Sequence, residues 1–246
     1  MTEQKKRPGL DGMTMKLLAM AFMLCDHLWA TMANTADWLT CIGRMAFPIF
    51  AFLIAEGWIN TSDRKKYRRR IFLWALLSEI PFNLMYGGGL IYPFHQNVLF
   101  TFWIALLLLS YVDLMEDLGG GRAYWVGAAI AVVVGYVVGF TVMVDYYGYG
   151  VVTVLIFYLT RDLPLKRLVQ LLAVGYLNFE MGGLVYDLSL LGQSVAVSRQ
   201  TFALLAFIPI CLYNGQRGRE DKVVRLGCYA FYPVHMLILA LIAICF

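Results

Sequence analysis

A bundle of about nine membrane-crossing α-helices is the fold this chain predicts, and three observations predict it. Hydrophobic residues make up 61% of the sequence and charged residues only 15%, too little polar material to cover a water-soluble globule. Mean hydropathy, at +0.68, points the same way. Apolar runs long enough to cross a hydrocarbon core of about 30 Å recur along the whole length. The chain is read as a single all-α polytopic domain, 1–246, with no motif or hydropathy pattern repeated between its halves.

The first run, 14–33, follows Lys5-Lys6-Arg7 as a secretory signal would. It continues through Asp26 and His27 without a convincing cleavage site, so it is expected to remain as the first span. Runs 43–60, 71–86, 97–115 and 123–143 follow, each long enough to cross. Runs 147–160, 166–180 and 200–213 are shorter, leaving room for one tilted or re-entrant piece, and 226–246 is the ninth. Between the seventh and eighth, Met181 to Arg199 is polar enough for an outer loop or a re-entrant lid. Pro48, Pro81, Pro209 and Pro233 fall inside these runs. Proline removes a backbone donor and displaces the carbonyl four residues back, so the helices are expected to kink and turn polar backbone toward protein or water.

Charge placement orients the bundle. Eighteen of the twenty Lys and Arg residues fall on alternate connections, from Lys5 through Arg64–Arg70, Arg122, Arg161–Arg167 and Arg217–Arg225. That is a positive-inside pattern, and it predicts a cytoplasmic N-terminus and an extracytoplasmic C-terminus. Arg44 and Arg199 are the exceptions. Arg44 then lies at the outer end of the second span, near the level of His27 late in the first and His95 just before the fourth.

The chain has only three histidines, in Cys25-Asp26-His27, Phe94-His95-Gln96-Asn97 and Tyr232-Pro233-Val234-His235. Ionisable groups in apolar spans cost several kcal/mol unless paired or hydrated, which makes them candidate sites. Asp26, Glu79, Asn97 and Asp145 join the histidines at similar depth, and three of the prolines neighbour this set, so a cavity within the bundle is expected. The five cysteines form no C-x-x-C pair and behave as small hydrophobes. No metal and no nucleic-acid partner is expected.

The segment Gly43-Arg44-Met45-Ala46-Phe47-Pro48-Ile49-Phe50 through Glu56-Gly57 resembles the TraX family. The likeness extends through Asp26-His27, Ser78-Glu79-Ile80-Pro81-Phe82, Gln96-Asn97-Val98-Leu99-Phe100-Thr101, Asp145-Tyr146-Tyr147-Gly148-Tyr149-Gly150 and Tyr232-Pro233-Val234-His235. The family's namesake, from F-type conjugative plasmids, acetylates the pilin N-terminus at the bacterial inner membrane. The resemblance therefore implies acyl transfer from acetyl-CoA to an extracytoplasmic peptide, glycan or small molecule, through an amine or a hydroxyl. A looser likeness to the broader membrane-embedded acyltransferases, the heparan-glucosaminide acetyltransferase group among them, singles out a histidine near the end of an early span. His27 matches that position.

Transfer from a thioester needs a general base, or a histidine that carries the acyl group, and donors for the tetrahedral oxyanion. His27 suits the first role. Asp26 is a candidate to fix its tautomer, although adjacent helical residues point about 100° apart, which leaves Arg44 or another helix as the alternative partner of Asp26. Arg44, Asn97 and His95 are the candidate oxyanion donors. Coenzyme A is cytosolic and carries phosphates, so the loop bearing Arg64, Lys65, Lys66, Arg68 and Arg69 is expected to hold its nucleotide end. Glu79 and His235 are then expected along the donor's path, and Asp145 and Tyr147 at the acceptor. The same basic loop also serves as a topology determinant against anionic lipid. Two other classes compete: a proton-coupled transporter, which also uses broken helices and buried ionisable groups, and a non-catalytic assembly factor of a conjugation or secretion system.

Overall fold

The computed structural model describes residues 8–32, 36–190, 193–218 and 221–245, so Lys5, Lys6, Arg7 and Arg219 lie outside the described residues. Helices α1 (Gly12–Met32), α2 (Asp37–Gly43), α3 (Ala46–Asn60) and α4 (Arg64–Gly87) are followed by α5 (Val98–Thr141), α6 (Tyr147–Leu159) and α7 (Lys166–Met181). A 3₁₀ turn (Arg199–Ala206) leads into α8 (Phe207–Cys211), and α9 (Lys222–Cys245) closes the chain. Among the described residues the strands form one antiparallel hairpin, β1 (Val185–Leu190) and β2 (Gln193–Ser198), with Val185 opposite Ser198 and Leu190 opposite Gln193. It occupies the segment read as a loop or lid.

Local chemistry sets the helix starts. Asp11, Asp63 and Asn97 each accept a backbone N–H from the first turn of α1, α4 and α5, at 2.8, 2.8 and 3.1 Å, satisfying donors that a helix N-terminus otherwise leaves unpaired. The prolines divide into two kinds. Pro48 and Pro209 are the third residues of α3 and α8, and the chain breaks just before each, between α2 and α3 and between the 3₁₀ turn and α8, where the missing N–H interrupts the helical ladder. Pro81 and Pro233 sit inside α4 and α9, next to the polar set.

A straight helix of 44 residues, the span of α5, would run about 66 Å, twice a bilayer core. Gly120 resolves this with φ 65° and ψ −156°, a conformation that essentially only glycine adopts. The two arms fold back on each other, Gly127 facing Met115 and Gly135 facing Leu108, so the fourth and fifth predicted runs form a helical hairpin. A β-carbon on Gly148 would strike the backbone of Tyr136, and this small residue lets α6 pack closely on the second arm.

Among the described residues, Asp37–Asn60, Val98–Thr141 and Lys222–Cys245 are long and apolar enough to cross a membrane by length and composition, and Tyr147–Leu159 and Arg199–Cys211 are shorter apolar helices. The chain is a helical membrane protein. Its main core runs through α3, α5 and α6, with Phe52, Trp58, Leu106, Leu109 and Leu155 buried. The alternating connections gather at two ends. At one, Asp113 accepts from Trp58 Nε1 (3.0 Å), Arg64 (2.7 Å) and Tyr158 Oη (2.5 Å), Arg161 reaches Tyr124, and Arg217 bonds the Asn60 carbonyl. At the other lie Asp26, Arg44, His95, Asp145 and Arg199.

Candidate active site

His27, three-quarters of the way along α1, meets His235 of α9. The Nδ1 of His27 is 2.6 Å from the Nε2 of His235, and the Nδ1 of His235 is 2.6 Å from the carbonyl oxygen of Phe231, one turn earlier. The ring planes differ by only 10° and the centroids are 4.8 Å apart, as when the bonded nitrogens lie on the line between two coplanar rings. Both histidines are buried, 7% and 6% exposed. Tyr86 stands edge-on to His27 at 6.2 Å and Tyr232 lies at 6.3 Å. His235 had been expected along the donor's path; the fold makes it the direct partner of His27.

Asp26 faces elsewhere, as the 100° step between neighbours requires. One carboxylate oxygen accepts from Thr40 Oγ1 at 2.7 Å and the other pairs with Arg44. Gly43 makes the pairing possible: a β-carbon there would overlap Asp26 itself, so α2 lies directly on α1 and delivers Arg44 from its C-terminal end. The guanidinium also sits 5.9 Å over the Tyr146 ring. Its Nε–H is buried with no hydrogen-bond partner among the described residues, a donor left over for a developing negative charge. Asp26 therefore holds Arg44, and the partner that meets His27 is another histidine.

His95 reaches Asp145, Nε2 to Oδ1, at 3.2 Å. It stacks on Tyr86 at 6.1 Å and tilts against Tyr147 at the same distance. Asp145, expected at the acceptor, is paired with His95. The turn that presents it is strained: Met143, Tyr146 and Tyr147 all have positive φ, 56°, 60° and 48°. Such strain persists where surrounding contacts over-determine it, and here Gln96 binds both flanks, accepting from Asp145 N at 2.8 Å and donating to the Met143 carbonyl at 2.9 Å. Burial pulls the His95 pKa down, but the hydrogen bond and charge of Asp145, with Glu79 beyond, outweigh it and leave the imidazole above its ordinary value.

Asn97 does not serve as the free donor expected of it. Its amide N–H groups go to the Ala75 carbonyl (2.9 Å) and to Glu79 (2.5 Å), while its oxygen caps α5. Glu79 and Asn97 instead tie α4 to α5 beneath His95.

A cavity of about 790 Å³ enters the bundle between α1, α3, α4 and α9, within the range of small-molecule sites. Its charged lining is Lys16, Lys66, Arg70, Arg217 and Arg225 against Glu56 and Asp63, with Tyr67 and Tyr229 beside them. Its inner wall is apolar and ends at Met23, Val98, Leu99 and Tyr232; Met23 and Tyr232 lie about one turn from His27 and His235 along α1 and α9. Lys16 and His27 are eleven residues apart on α1, about 16 Å of rise. Of the five loop cations expected to bind the donor, Lys66 alone lines the cavity. Arg64 is held by Asp113 and Arg68 by Ser110, and Lys65 and Arg69 are not part of the lining. Sequence reading missed Lys16, Arg217, Arg225, Tyr229 and Tyr232. The one signal for the last four is their recurrence on the side of α9 and its approach that also carries His235.

A family model described as TraX protein matches residues 11–243. The probable fimbrial assembly protein FimC, serogroup H1, of Dichelobacter nodosus is 22% identical over 250 aligned residues, covering 92% of each chain. Protein TraX of Escherichia coli is 26% identical over 103 residues, 40% of this chain and 38% of that protein. No solved structure matches.

Proposed function

The chain belongs to the TraX family, and from that premise we propose that it is a membrane-embedded acetyltransferase, carrying an acetyl group from cytosolic acetyl-CoA to an extracytoplasmic acceptor. The observation that carries the reading is the cavity: five cations against two carboxylates in its lining, an apolar throat, and a buried histidine pair behind its inner wall. Phosphates suit the charged lining, where Arg and Lys offer charge-assisted bonds and Tyr229 offers a ring face. A thioester arm suits the throat. His27 then acts as base or acyl carrier, and Arg44, with its unpaired Nε–H, as the oxyanion donor. On the far side, Asp145 and Tyr147 receive the acceptor, with His95 beside them.

In this reading all nine helical runs cross the cell membrane, with the charged lining on the cytoplasmic side and the C-terminus outside. The acceptor is an amine or hydroxyl displayed at the outer face. A pilin N-terminus is the first candidate, since the Dichelobacter relative is named for fimbrial assembly. That name also favours a second reading, a non-catalytic assembly factor, in which the buried histidine pair has no task.

The test is transfer itself. Purified protein in lipid nanodiscs, given labelled acetyl-CoA and a pilin N-terminal peptide, should label the peptide, and His27→Ala should not. Equal labelling by that variant would sink the mechanism. Failure to bind coenzyme A would favour a transporter or an assembly factor.

A further inference from the structure

We infer that His235 is a positioning residue that fixes the tautomer of His27, leaving Nε2 as its one bare, reactive nitrogen. The inference rests on the acetyltransferase reading only for its consequence; the wiring follows from the hydrogen bonds. The Phe231 carbonyl has no proton to give, so the 2.6 Å contact requires His235 to donate from Nδ1. A neutral imidazole carries one N–H, and Nε2 of His235 is then an acceptor. The proton in the 2.6 Å contact between the rings must come from Nδ1 of His27.

A doubly protonated His235 would reverse that contact. It would also place a cation in the bundle with no carboxylate against it, Asp26 being held by Arg44 and Thr40, and an unpaired charge there costs several kcal/mol. The neutral wiring stands. The two nitrogens of an imidazole point to opposite sides of the ring, so Nε2 of His27 faces away from α9. Among the described residues nothing hydrogen-bonds to it.

A carboxylate does this work for the histidine in serine hydrolases. Here a carbonyl and a second imidazole do it, and neither brings net charge into the bundle. The sequence device is Phe231 and His235 four apart on α9, so that the helix supplies its own acceptor and the ring is held at both nitrogens.

The test uses the full chain with ¹⁵N-labelled histidine in nanodiscs, where three histidines make assignment direct. Wild-type His27 should show a protonated Nδ1 and a bare Nε2. His235→Phe should give a mixture of tautomers, and His235→Gln, whose side-chain carbonyl still accepts, should keep the wild-type form. Transfer should fall on the order of a hundredfold or more in His235→Phe and largely recover in His235→Gln. A proton on Nε2 of wild-type His27, an unchanged tautomer in His235→Phe, or unchanged transfer in that variant would each overturn the inference. Should the tautomers behave as stated while wild-type protein transfers no acetyl group, the wiring holds and the acetyltransferase reading fails.

Discussion

Gly43 lies so close to Asp26 that a β-carbon on the glycine would fall within the aspartate's own backbone and side chain. The contact sets how near α2 comes to α1, and so whether Arg44 reaches its carboxylate. Gly43→Ala should therefore destabilise by about 1–3 kcal/mol as an overpacked contact, measured by unfolding in detergent. Asp26→Ala should cost more, about 3–5 kcal/mol, because it strands a guanidinium whose side chain is only 16% exposed. Removing both partners should cost less than the sum of the single losses. Additive losses would mean the pair contributes nothing as a pair.

The His95–Asp145 pair predicts a dependence on pH. The folded protein holds the His95 proton more tightly than the unfolded chain does, because its pKa is raised. The stabilisation is complete below the unfolded value, about 6.5, and is lost as pH rises through the higher folded value. Melting temperature should fall across that window in wild type, relative to His95→Gln, whose curve should be flat there. A wild-type curve parallel to that of the variant would show that the pair does not form.

Gly120 and Gly121 offer a paired substitution. Neither has any atom within 4 Å of an added β-carbon, yet only Gly120 has positive φ. Gly120→Ala should cost about 1–3 kcal/mol through the backbone alone. Gly121→Ala, helical and unobstructed, should be neutral or stabilise by up to about 1 kcal/mol. Equal effects would contradict the fold-back of α5.

Cys228 lines the cavity on α9. With the other four cysteines replaced by serine, a membrane-impermeant maleimide should modify it in inside-out vesicles and not in right-side-out ones. Coenzyme A should slow the reaction. Labelling from the opposite face would invert the proposed topology, and indifference to coenzyme A would remove the donor from the cavity.

What the sequence made legible follows from the range of each interaction. Helical runs are local, and every apolar run read from the chain is helical over most of its length. Arg44 stood out because it broke the charge pattern, and that exception led to its pairing with Asp26. The partner of His27 was hidden because His235 lies 208 residues away, and no periodicity reports on contacts at that separation. The cations of the basic loop look alike in sequence. Which of them faces the cavity depends on the rotation of α4 against α9, so Lys66 and Arg70 line it while Arg64 turns to Asp113. The hairpin at Val185 did leave a local signal, the alternation of apolar and polar residues along Tyr186–Leu190 and Ser194–Ser198 about Gly192, which a reading by helical runs passes over.

The strained turn at Met143–Tyr147 has a mechanical meaning. Asp145 points to one side of it and grips His95, and Tyr146 points to the other and lies beneath Arg44. The Asp26–Arg44 and His95–Asp145 pairs thus both rest on a single five-residue turn. Relaxing that backbone would release local strain and tilt both pairs at once, so one small displacement of this turn would be felt at both.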